Sequence, residues 1–471
     1  MLEMSPREFR RLAHRAVDIL ADAMARSTGD PEAPVRRPTT PELRARIMDQ
    51  PLPEDPGDPD GILADFEALI LPHPMGNGSP RFFGWVNSPP APMGVIAELL
   101  AAGMNPSVAG GDHAATYVEH VVLRWLFELL GLPSGSGGIL CSGGSVANLI
   151  CLAVMRNEHA HDVRAAGIRN NRLVVYTSVE GHSCLEKAVE ILGLGHENLR
   201  KLPVDAERKM DLAALRAAIA EDRAAGRHPA CVAASAGTVN TGAIDPLSEI
   251  ADICTAEGLW FHIDGAYGGF GVLTGQARPL YEGLAKADSI AVDPHKWLAL
   301  PVECGCAIVR DRSAMRETFS LVPPYLRDDT AQPWFSEFGI QQTRGFRALK
   351  VWMTLQVVGA SGYRRELTRQ VALARKLQEK IRSRPTLEIV SAGPLSVVCF
   401  RVLSPGLGDA AIDSLNRTVA DRIQANGRVF LTSTVLDSRI VLRACIVNFR
   451  TQDADLDVLL DEVEAAGRGA L

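Results

Sequence analysis

Residues 289–297 read SIAVDPHKW, a short apolar run that closes on an acid, a histidine and a lysine. Its first four residues have the apolar, β-branched character of a buried strand. Lys296 follows almost directly and is flanked by Trp297, Leu298, Ala299 and Leu300, which argues against free exposure. A lysine held in an apolar pocket has a lowered pKa and attacks carbonyls. Upstream, residues 259–268 read LWFHIDGAYG, a second buried strand ending in Asp264 and small residues. A lone Asp-Gly is usually a turn cap. Here the spacing to Lys296 leaves room for a helix and a return strand, so both strand ends open on one edge of a parallel sheet, where ligands bind. An acid at that edge can pair with a pyridinium nitrogen while a lysine holds the aldehyde of the same ring.

Outward from this pair the alternation continues. Strands are expected at 138–141, 173–176, 199–202, 231–234, 259–263, 289–292 and 306–309, with amphipathic helices at 146–155, 185–192, 212–222 and 247–257. That order predicts an α/β fold with a mostly parallel seven-stranded sheet covered on both faces. Residues 5–27 place Phe9, Leu12, Ala16, Ile19, Leu20 and Ala23 at helical spacing, with Ser5, Pro6 and Glu8 as cap, first-turn proline and capping-box acid. Residues 28–60 read as loop with one short helix near 42–49. So thin a helical segment cannot bury its apolar face alone, and a second subunit is expected to cover it. Residues 341–383 read as long helix. Strands near 396–402, 429–432 and 440–447 and helices at 409–424 and 453–466 complete a small α/β unit. The division expected is a helical segment 1–80, a large domain 81–350 and a small domain 351–471.

Composition narrows the function classes. At 46% hydrophobic and 22% charged residues, the 471-residue chain is neither disordered nor fibrous. Its 49 basic and 56 acidic residues leave a net charge of −7, a poor basis for general nucleic-acid binding. No apolar run reaches membrane-spanning length, and the charged N-terminus lacks the apolar core of a secretory signal. The nine cysteines include no CxxC pair. Reduced thiols in a cytoplasmic protein are expected, and no metal.

Three more strand-end loops join the acid and the lysine. Residues 141–148 read CSGGSVAN between a strand and a helix, the form of a phosphate cup: glycines allow close approach, the helix start offers free N–H groups, and Ser145 adds a hydroxyl. It is not a Walker loop, because no Gly-Lys-Ser/Thr follows. Residues 177–183 read TSVEGHS, and His182 in a cleft would stack on a planar ring. Residues 234–242 read ASAGTVNTG, hydroxyls with little bulk. Each loop alone is an ordinary turn. Together they describe a pocket for pyridoxal 5′-phosphate (PLP).

With DPHKW preceded by HIDGAY, the chain resembles the fold type I PLP enzymes, and among them the group II amino-acid decarboxylases, over nearly its whole length. The resemblance implies a Schiff-base lysine at Lys296, a pyridinium partner at Asp264 with Ala266 under the ring, and a stacking histidine at His182. It implies phosphate contacts from Gly144, Ser145 and His295, with Asp293 where relatives often have Asn, and Thr238 near the ring substituents. Residues 82–88, FFGWVNS, match a substrate-facing loop, which makes Trp85, Asn87 and Ser88 substrate residues; Ser107, Asp112 and His113 are expected from a partner chain. The reaction implied is decarboxylation of an aromatic or heteroaromatic L-amino acid to the amine by a homodimer whose N-terminal helices wrap the partner.

One departure bears on the product. The family's mobile loop carries a proton-donating tyrosine ahead of the helix that begins here at RGFRALK, residues 344–350. An ungapped comparison places Phe335 at that position and a gapped one Phe338, so the phenol is missing; the nearest tyrosine is Tyr325. In plant relatives this change accompanies aldehyde synthesis with ammonia and peroxide. Other readings are weaker. A cysteine desulfurase needs a thiol on a mobile loop, for which Cys184 is the candidate. A non-catalytic protein would not need the full lysine, acid and histidine set. A nicotinamide-binding domain would need an early GxGxxG.

Overall fold

The computed structural model describes residues 3–29, 33–168, 173–321 and 333–470. Seven strands form the main sheet: β1 Gly137–Cys141, β2 Leu173–Ser178, β3 Leu199–Leu202, β4 His228–Ser235, β5 Trp260–Gly265, β6 Ser289–Val292 and β7 Gly305–Val309. Their spatial order is β1-β7-β6-β5-β4-β2-β3. β7 runs antiparallel to both β1 and β6, and the remaining pairs are parallel. The C-terminal ends of β1, β2, β4, β5 and β6 therefore share one edge. β7 starts there, with Gly305 beside Cys141.

Helices bury the sheet on both faces. Val122, Leu126, Phe261, Ile263, Phe270 and Ile290 belong to one core cluster. Leu152, Met155, Val175 and Leu185 belong to another, beneath the helices Gly144–His159 and Cys184–Ile191. A four-stranded antiparallel sheet follows, ordered β10-β11-β9-β8, from β8 Leu387–Ala392, β9 Val397–Val402, β10 Thr432–Leu436 and β11 Arg439–Cys445. Its core includes Phe400, Leu415, Val419, Leu459 and Val463, and also Phe83.

Several expectations need correction. The helix expected from 341 begins only at Ala348 and runs to Arg382, with a kink at Gly359. Residues ahead of it are held as loop because Arg344 is drawn into the core. Its guanidinium pairs with buried Glu119 and donates to the carbonyls of Val108 and Leu140, each at 2.7 Å. The strand expected at 429–432 forms at β10 instead. Phe430 pairs with the segment before Gly84: Phe83 N donates to Phe430 O at 2.8 Å. β8, a half-buried edge strand, was missed although Leu387, Ile389 and Val390 carry an apolar, β-branched signal.

The first helix, Pro6–Gly29, begins as expected, with Ser5 Oγ accepting from Glu8 N at 3.1 Å. The Glu8 carboxylate, however, pairs with Arg11. Arg11 and Arg15 both bind Asp60, which ties on a helix the sequence reading missed, Pro59–Asp65. Phe9, Val17 and Leu20 remain exposed.

Candidate active site

A cleft of about 350 Å³ opens at the shared sheet edge. Gly144, Ser145, His182, Thr238, Asp264, Ala266, His295 and Lys296 all line it, from the ends of five strands. Lys296 follows β6 on the short helix Pro294–Trp297. Its Nζ lies 2.9 Å from Asp293 Oδ2, and its backbone carbonyl accepts from Ser88 Oγ at 2.8 Å. Asp293 is buried, and its other oxygen has no hydrogen-bond partner among the described residues. Asp264, at the end of β5, accepts from the Ala266 N–H at 3.1 Å.

The cup is shaped by close packing. A Cβ at Gly144 would meet Ala266 Cβ and Asp293 Oδ2 at 2.8 Å, so only glycine leaves the helix start open to a ligand. His295 Nδ1 sits 2.8 Å from the Cys304 carbonyl. His182 Nδ1 accepts from Cys184 N at 3.1 Å, which puts the proton of the neutral ring on Nε2. Thr238 Oγ1 lies 2.8 Å from Thr241 Oγ1.

Five expected substrate residues, Trp85, Asn87, Ser88, Phe335 and Phe338, are not among those lining this cleft. Trp85 is 46% exposed beside Phe82 and Phe430 and lines a separate recess with Arg36, His73 and Met75. Ser88 is buried as a brace on the Lys296 backbone. Phe335 and Phe338 are core residues, 1% and 2% exposed, packed near Arg344 and Arg312 respectively. Neither ring can touch a substrate in this arrangement, because apolar burial took both from the loop. Tyr325 lies outside the described residues. Cys184 is a buried thiol at a helix start, and burial pushes its pKa well up, which disfavours the mobile nucleophile of a desulfurase.

The sequence reading missed other lining residues. Glu180 holds Asn240 Nδ2 at 3.0 Å, and Glu303 pairs with Arg347 at 2.8 Å. Beside the lining residue Val239, buried Arg443 donates from Nε to the Val239 carbonyl at 2.8 Å and from Nη1 to that of Trp85 at 3.0 Å. Its Nη2 has no hydrogen-bond partner among the described residues. A charge inside the apolar run of β11 was the available signal, since a buried cation needs acceptors.

A glycine cradle at a helix start, an acid at a strand end and a lysine beside a buried carboxylate fit a phosphorylated pyridine aldehyde. With this sheet order, they define a fold type I PLP enzyme. The Pyridoxal-dependent decarboxylase conserved domain matches residues 41–403, and the chain belongs to that family. It is 31% identical to an aromatic-L-amino-acid decarboxylase of Bacillus atrophaeus, over 98% of this chain and 96% of that protein. It is 30% identical to a phenylacetaldehyde synthase of Arabidopsis thaliana, over 94% and 92%. The Oryza sativa TDC structure with PLP and tryptamine superposes with a TM-score of 0.93 at 25% identity, over 100% of this chain and 99% of that one. The protein is a PLP-dependent amino-acid decarboxylase. Among the described residues, no helix is long and apolar enough to cross a membrane.

Proposed function

We propose that the enzyme decarboxylates an aromatic or heteroaromatic L-amino acid to its amine. The observation that carries this reading is the single cleft shared by Lys296, Asp264 and the Gly144 cradle. Lys296 would hold the cofactor's aldehyde carbon, and the Asp264 carboxylate would keep the proton on its ring nitrogen. Gly144, Ser145 and His295 receive the phosphate. Ala266 would lie under the ring, His182 would stack on it, and Thr238 would meet its substituents. When bound, PLP supplies the electron-accepting ring that loss of carbon dioxide requires. His182 or a water delivers the proton to the product's Cα.

The name of the Bacillus relative supports an aromatic substrate. The polar lining, with Glu180, Glu303 and Asn148, supports a ring that carries a polar group. The test is to incubate the holoenzyme with each amino acid and assay carbon dioxide, amine, ammonia and peroxide together. Absence of carbon dioxide release from every aromatic or heteroaromatic amino acid would overturn the substrate class.

A second reading, decarboxylation with oxidation to an aldehyde, ammonia and peroxide, is favoured by one observation. Phe335 in an ungapped comparison, or Phe338 in a gapped one, stands where the family places its loop phenol, and one relative is named as an aldehyde synthase. Peroxide and ammonia in step with carbon dioxide would select it.

The working unit in this reading is a cytoplasmic homodimer built from a helical segment 1–80, a large domain 81–350 and a small domain 351–471. Exposed Phe9, Val17 and Leu20 on the first helix support a covering partner, one that also brings Ser107, Asp112 and His113 to the substrate. Nine buried free cysteines support a reducing compartment.

A further inference from the structure

Asp264 and the phosphate cup are joined through Cys184, Asn148 and His262, the first two of which also line the cleft. Asn148 lies one turn into the helix Gly144–His159. Its Nδ2 donates to the Gly144 carbonyl at 2.8 Å and lies 3.5 Å from Cys184 Sγ. Its Oδ1 is 2.7 Å from His262 Nε2. His262 is fully buried on β5, two residues before Asp264, and its Nδ1 is 2.8 Å from Ser289 Oγ. That hydroxyl also accepts from Trp260 Nε1 at 2.8 Å. At the other end, Cys184 Sγ lies 4.0 Å from Asp264 Oδ2.

The donors of this chain can be ordered from chemistry alone. A carbonyl only accepts, so the Gly144 oxygen requires the Asn148 amide nitrogen on its side. The amide oxygen then faces His262, whose Nε2 must carry the hydrogen. His262 Nδ1 is left as an acceptor, and the Ser289 hydroxyl donates to it. The second Asn148 N–H points to the Cys184 sulfur, and the thiol hydrogen is free for Asp264. Every donor from Trp260 to Asp264 runs in one direction. Burial agrees, holding the His262 imidazole neutral.

We propose that His262, Asn148 and Cys184 are positioning residues that set the Asp264 carboxylate and the Gly144 cup as one rigid unit for the pyridine nitrogen and the phosphate of PLP. Asn148 is the junction, because its amide alone bonds toward the cup, the thiol and the imidazole. A thiol is a weak donor, so Cys184 orients Asp264 while leaving its charge for the ring nitrogen. The inference rests on the proposed roles of Asp264 and Gly144.

The test compares His262→Phe, His262→Gln, Asn148→Ala and Cys184→Ala. Each is stripped and reloaded with PLP, and read by cofactor dissociation constant and visible absorption at fixed pH. Circular dichroism and urea midpoints are taken alongside. A glutamine amide can still donate where Nε2–H did, whereas phenylalanine better preserves ring volume. The relay predicts that His262→Gln stays near the parent while His262→Phe and Asn148→Ala bind PLP about tenfold or more weakly with a changed band, and that their double variant loses less than the product of the two. Cys184→Ala should change the band more than the affinity. A His262→Phe that matches or exceeds His262→Gln, or an Asn148→Ala and Cys184→Ala with parental affinity and spectrum, would overturn the proposal. If the His262 variants do not fold, the Asn148 and Cys184 variants decide the matter alone. None of these readouts uses a substrate, so an error in the substrate class leaves them intact. An error in the cofactor site would appear separately, as a borohydride-fixed adduct on a lysine other than Lys296.

Discussion

Lys296 is held at both ends, its carbonyl by Ser88 and its Nζ by Asp293 at 2.9 Å. A side chain so placed presents one amine to the cleft. Lys296→Ala should lower turnover by more than about 10⁴-fold, because covalent anchoring and amine exchange both go; steady-state carbon dioxide release measures it. In the parent, borohydride should fix the cofactor on Lys296, as peptide mapping would show. Phe335 poses the opposite case. Its ring lies 4.5 Å from His120 and under the Arg344 guanidinium, away from the cleft. Phe335→Tyr should therefore leave the amine-to-aldehyde ratio unchanged, while a buried hydroxyl lowers stability by about 1–3 kcal/mol unless it finds a partner. A rise in amine under air would show that this segment leaves the core during turnover. The cleft residues were legible because strand-end loops carry unusual side chains at fixed places. Trp85, Ser88 and Phe335 were not, because a loop motif says which residues are present and not whether a neighbouring core claims them.

At the scale of elements, the strand and helix order of the main sheet could be read from alternation, since period and length separate short buried strands from amphipathic helices. The ends that failed were those set by distant partners. Residues 341–347 carry no helix-breaking run, yet the buried Arg344–Glu119 pair removes them from the helix. The kink in Ala348–Arg382 is likewise invisible to periodicity. Gly359 adopts φ 68 and ψ 158, a region essentially confined to glycine. Gly359→Ala should cost about 1–3 kcal/mol, read as a lower urea midpoint, with cofactor affinity retained in the folded fraction.

For the whole molecule, buried titratable groups couple stability to pH. Burial pushes the imidazoles of His262 and His159 down to about 4. An unfolded histidine titrates near 6.5. Between about pH 6.5 and 4 the unfolded chain thus binds protons that the fold refuses, and stability falls on acidification. Asp245, which burial raises to about 6, acts in the opposite sense, since the fold keeps a proton that the unfolded carboxyl releases between about pH 4 and 6. With two histidines against one acid, these groups together should lower the urea midpoint from pH 7 to pH 5, and His159→Gln should flatten the change. The exposed first helix makes a second molecular prediction. Phe9→Glu with Val17→Asp should shift a dimer toward monomer in sedimentation at micromolar concentration; an unchanged sedimentation coefficient would place the interface elsewhere.

The sequence by itself determined the sheet's alternation and the loops that meet at its edge, because strand period, glycine content and charge next to apolar runs are local properties. It also placed Lys296 and Asp264 at that edge, since parallel strands of similar length bring their ends to one side wherever the chain crosses over. The tertiary structure alone decided that β7 runs antiparallel and that Arg344 and Arg443 are buried. It decided as well that Phe335 and Phe338 face inward and that a histidine on β5 reaches an asparagine in the cup. These outcomes depend on which distant surfaces compete for the same side chain, and a buried charge or ring goes where its desolvation is best compensated.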